Sequence, residues 1–171
     1  MDLLTIVLRF LHIFAGVFWM GAVFTSEMFL LPTVRATGPA GAQFMGHLVR
    51  VKKFPVRVVG AAIVTVLAGL GLYWHNIAIS SGAWAQTRAA STYGIGGAAA
   101  ILALFPGIGM VALGATRLSA LGASIQASGA QPTADQQAQM ATLQKRIAIG
   151  THATAGLTAI ALLCMAIARY L

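Results

Sequence analysis

The chain has 171 residues, 58% hydrophobic and only 8% charged, with a mean hydropathy of +0.84. Soluble domains carry about 25% charged residues, so a water-exposed globular domain is excluded. Eleven Lys and Arg against three Asp and Glu give a net charge of +8, but the cations lie between apolar runs. That is a membrane-topology pattern and not a nucleic-acid-binding face.

Four segments are long and apolar enough to cross a bilayer, which takes about 20 residues. They run over about 3–31, 56–79, 93–117 and 147–170. Pro32 is expected to end the first, Pro55 to open the second and Pro106 to kink the third. The first is too long for the apolar part of a cleaved leader and carries Arg9, His12 and Glu27, so it reads as a retained span. The connection before the second span places Phe44, Leu48 and Val51 at helical spacing beside Arg50, Lys52 and Lys53. This predicts an interfacial helix over about 41–53. Residues 80–92 form a short polar loop with Trp84. Residues 118–146 begin and end as helix extensions around a turn at Ser128–Pro132, with Thr133 or Asp135 as the cap. The fold predicted is all-α: a single transmembrane domain over 1–171, an up-down-up-down four-helix bundle.

The first and third connections hold most of the cations (Arg35, Arg50, Lys52, Lys53, Arg57; Arg117, Lys145, Arg146), whereas the second has only Arg88. The positive-inside rule then puts both termini on the outer, periplasmic side of a bacterial inner membrane.

Ionisable groups in a membrane helix are costly and each invites a functional reading. On the first helix Arg9, His12, Gly16, Trp19, Val23 and Glu27 fall in one stripe that should face the bundle interior. Each helical histidine has a glycine one turn away: His12 with Gly16, His75 with Gly71, His152 with Gly156. A flat porphyrin uses such a pair, because imidazole reaches the iron and the missing side chain admits the ring edge. Tight helix packing uses glycine equally well. Depth arithmetic at 1.5 Å per residue puts His12 within about 10 Å of either His75 or His152. His12 and His75 are the preferred axial pair for a haem iron, with His152 the alternative partner. A competing metal site would draw on Glu27, His47 and His152 for zinc, iron or copper, though no HxH, HxxxH or CxxC spacing accompanies them. The lone Cys164 excludes an intrachain disulfide.

Leu11-His12-Ile13 followed by Gly16, Trp19 and Gly21 resembles the first helix of small bacterial membrane proteins of the CopD-like and HemJ-like kind. The run Ala68 to Trp74 resembles their glycine-containing second helix. The likeness covers about the first eighty residues and implies b-type haem (heme b) with His12 as a ligand. The third-helix lysine and the Asn-Glu-Pro-like motif of HemJ-like proteins have no counterpart, which counts against protoporphyrinogen oxidation.

The leading expectation is therefore a membrane haem protein moving electrons between a quinone or small reductant and a membrane protein partner, with Arg9 at a propionate and Trp19 beside the ring. The alternatives are a non-catalytic accessory subunit of a larger respiratory or photosynthetic complex, and a small-solute or metal transporter lined by Glu27 and the bent third helix. A lipid bilayer is the surrounding partner, a homo-oligomer or larger complex is open, and no nucleic acid is expected.

Overall fold

The computed structural model describes residues 2–171, and these form an all-α bundle. Four long apolar helices carry it: α1 (Leu3–Ala36), α3 (Phe54–Ile79), α4 (Arg88–Ser128) and α5 (Ala134–Tyr170). A shorter amphipathic helix, α2 (Pro39–Arg50), joins α1 to α3. Lengths of 26 to 41 residues give about 39 to 62 Å at 1.5 Å per residue, more than a bilayer core of about 30 Å. The chain is a multi-pass membrane protein by the length and composition of these helices.

Pairing is uneven. α1 packs most extensively along α3 and α4 along α5; α3 meets α4, and α1 meets α5, more lightly. Small residues allow the close approach in the second pair. A methyl group on Gly150 would lie 2.6 Å from Met110 Cβ, and one on Gly96 2.8 Å from Cys164 Cβ. The central core joins Trp19 and Val23 to Ala62, Ala99, Ala100, Ala103 and Ala161.

The extensions of the third and fourth spans over 118–146, and the Thr133 cap between them, are found as expected, whereas the end of the first span shifts. Pro32 does not end α1. A π-helical turn over Ser26–Leu30 lets the Leu31 N–H donate to Ser26, and Pro32 then sits in the first turn of the next α-helical stretch, where no N–H is required. Pro106 likewise leads into a π-helical segment, Gly107–Ala112, and α4 runs on to Ser128. α5 starts at Ala134, because Thr133 and Gln136 form a reciprocal capping box at its N-terminus. The ends of α4 and α5 therefore project together at the basic end of the bundle, where α2 packs against the last stretch of α4.

Candidate functional site

The light seam between α1 and α5 carries a polar bridge. Glu27 and His152 form an ion pair through Oε1 and Nδ1, with the carboxylate side chain 19% exposed and the imidazole 73%. Glu27 sits in the first π-helical turn. π-turns are uncommon and recur at functional sites, because one extra residue re-aims the side chains of that turn.

Next to this bridge lies an apolar chamber of about 90 Å³. Trp19 and Val23 of α1, Val58 and Ala62 of α3, and Gly107 and Val111 of α4 contribute to its wall, with Met45 and Val49 of α2 joining from the basic end. Ser26 and Thr151, the neighbours of Glu27 and His152 in sequence, line it too. Both π-turns thus border the same space. The Thr151 and Thr154 hydroxyls donate back to Ile147 and Gly150 of their own helix. With these two hydroxyls turned back onto their own helix, that part of the wall is largely apolar.

Of the remaining expected site residues, Trp19 lines the chamber and the others fall elsewhere. The His12 Nδ1–H donates to the Thr65 carbonyl of α3 at 2.8 Å. The Nδ1–Cε1 edge of the ring lies against Gly69, where an added methyl would meet Cε1 at 2.8 Å and Nδ1 at 2.9 Å. Gly16 faces the Thr65 methyl at 3.4 Å, so both glycines serve the α1–α3 contact. Trp19 is 3% exposed and sits in the central core. Arg9 lies exposed on α1 one turn above His12.

His75 stands at the end of α3 near the N-terminus, its Nε2 3.3 Å from Asp2 Oδ2. Asp2 also caps α1, accepting from the Thr5 N–H at 2.9 Å. Hydrogen bonds from Thr5, first the side chain and then the backbone, and the nearby His75 hold the Asp2 carboxyl below the ordinary aspartate range. Gly71 is covered by Leu8, whose two methyls lie 3.3 Å from where its Cβ would be. His47 is exposed on α2.

A bis-histidine haem does not fit this arrangement within one chain. Leu8 covers Gly71, the glycine paired with His75, and each imidazole is engaged with a different group, His12 with the Thr65 carbonyl and His75 with Asp2. His152 is not at the depth of His12. Its partner Glu27 is fifteen residues further along α1, about 22 Å. The depth arithmetic counted from the edges of the apolar runs, which do not fix the register of α5 against α1. The chamber is far smaller than the roughly 300–1,000 Å³ of ordinary ligand pockets. Of the proposed metal trio, Glu27 and His152 meet, but among the described residues no three His, Cys, Asp or Glu side chains gather as a metal site.

The residues missed in sequence are the buried threonines Thr65, Thr151, Thr154 and Thr158. The last three repeat at three- and four-residue spacing on α5, the signal by which an inward face is recognised. Comparison with known proteins finds no matching family model, curated protein or solved structure.

Proposed function

We propose that the protein is a small proton-linked membrane carrier in which the Glu27–His152 pair takes up and releases the proton. The observation that carries this reading is the pair itself. It is a carboxylate and an imidazole bridging a lightly packed seam of an apolar bundle, at a π-turn, beside an apolar chamber. Charged groups in such helices are expensive unless they serve a pathway or a relay. Imidazole is the side chain whose charge changes nearest neutral pH. Removing the charge from either partner weakens the bridge and loosens α1 from α5, which gives the chamber a lateral way out. Its size and lining suit a small, weakly polar solute.

The test is proton flux into liposomes loaded with a pH-sensitive dye. After an imposed pH step, wild-type protein should relax the gradient faster than empty liposomes. Glu27→Gln should lose at least about tenfold of that excess, and His47→Ala should keep it. Equal rates with and without protein would favour a non-catalytic accessory subunit.

A second reading rests on one observation at His12. Because Nδ1–H is held by the Thr65 carbonyl, the neutral ring keeps its lone pair on Nε2. Metal-ligating histidines are commonly oriented this way. His12 is thus suited to be a single ligand to heme b, in keeping with the resemblance of the first helix to haem-binding membrane proteins. A reduced-minus-oxidised spectrum of the purified protein, with and without His12→Ala, decides it.

A further inference from the structure

A second concave feature lies at the basic end of the bundle, apart from the chamber and independent of the proton reading. Where α1 passes Pro32 and the chain folds back into α2, Phe29, Val34, Thr37, Ala40, Gly41 and Phe44 line an apolar groove of about 390 Å³. The groove is built into the fold. Gly41 lies so close to α1 that a methyl there would stand 2.4 Å from the Val34 carbonyl oxygen. Gly38 takes the left-handed φ of +54° that lets the chain reverse. The Thr37 hydroxyl is turned back onto the Thr33 and Val34 carbonyls, so it offers the groove no donor. Phe29 and Phe44 are more than half exposed.

The charge around this groove is one-sided. Arg35, Arg50, Lys52, Lys53 and Arg57 belong to the segments that form and follow it, and no Asp or Glu occurs between Glu27 and Asp135. His47 lies exposed one turn after Phe44. An apolar slot in segments that carry these cations, with the nearest carboxylate in sequence, Glu27, already paired to His152, matches one kind of partner. It suits a phospholipid whose acyl chain enters the slot and whose anionic headgroup meets Arg35 and the lysines.

We propose that the groove between the end of α1 and α2 is a binding site for one anionic phospholipid.

The test is native mass spectrometry of the detergent-purified protein, titrated separately with dioleoyl phosphatidylglycerol and dioleoyl phosphatidylcholine. These two lipids share their chains and differ in headgroup charge. One phosphatidylglycerol should be retained about tenfold more tightly than phosphatidylcholine. Arg35→Gln with Lys52→Gln should remove the preference while leaving a weak common affinity. Ala40→Trp, at an exposed position on the groove wall, should abolish retention of both lipids, with circular dichroism confirming the helical fold. The proposal is overturned by equal retention of the two lipids in wild type, by a preference that survives loss of the two cations, or by wild-type retention in folded Ala40→Trp.

Discussion

His12 stands directly on Gly69, with its Nδ1–H given to the Thr65 carbonyl one turn earlier on α3. The two facts are linked. Only a glycine lets the imidazole approach the α3 backbone closely enough to donate to it. Gly69→Ala should therefore push the ring away and break the bond, costing about 1–3 kcal/mol. His12→Ala alone should cost about 0.6–1.7 kcal/mol, the range for polar contacts between membrane helices. The double variant should be less destabilised than the sum, because the methyl then enters space the ring has left. Reversible unfolding in mixed micelles reads all three, and strict additivity would mean that the contact does not exist.

Gly150 holds α4 and α5 together. Its added methyl would meet Met110 Cβ at 2.6 Å and the Pro106 carbonyl at 3.3 Å, and a backbone atom cannot swing aside. Gly150→Ala should destabilise the bundle by about 1–3 kcal/mol. Gly97→Ala, with nothing within 4 Å, should be neutral or slightly stabilising because alanine favours helix. Melting temperatures of the two variants side by side check the difference.

The start of α1 should respond to acid. The folded-state Asp2 carboxyl lies below its ordinary range, held there by Thr5 and then by His75. Its capping contribution is complete above the unfolded aspartate value and disappears as pH falls through the lower folded one. Exchange of the Thr5 amide should therefore speed up at that acidic end after correction for intrinsic rates. Asp2→Asn should keep a cap and remove the pH dependence. A corrected exchange rate that stays flat in wild type would contradict this.

How far the sequence reaches is clear at particular residues. The four spans, α2 and the Thr133 cap follow from apolar run length, amphipathic spacing and cap chemistry, all local properties. Pro32 misleads because a π-turn five residues long absorbs a missing N–H, and nothing in SEMFL announces one. The glycines beside His12 and His75 read as porphyrin slots, but whether a glycine faces a void or a neighbour depends on the opposite helix. Thr65 and Leu8 fill those places. Glu27 and His152 are visible as intramembrane ionisable groups. Their meeting depends on the register of α1 against α5, which no local pattern encodes.

Breaking the pair from either side should not be equivalent. Glu27 is the more buried partner, so His152→Ala leaves a poorly solvated carboxylate beside the chamber. Glu27→Gln leaves an imidazole that is already largely exposed. His152→Ala should therefore be the more destabilising of the two, because it leaves the more buried member of the pair without a partner. Unfolding of the two single variants at neutral and at mildly acidic pH checks this. Equal losses that do not change with pH would argue against an electrostatic bridge.

The most direct measurement of the central claim is an infrared difference spectrum of the protein in bilayers between mildly alkaline and mildly acidic pH. With only three Asp and Glu residues in the chain, a protonated carboxyl band can be assigned by substitution. A carboxyl band that appears on acidification, vanishes in Glu27→Gln and shifts in His152→Ala is the result predicted for a proton shared by the pair. Difference spectra of Glu27→Gln and wild type that superimpose would contradict it.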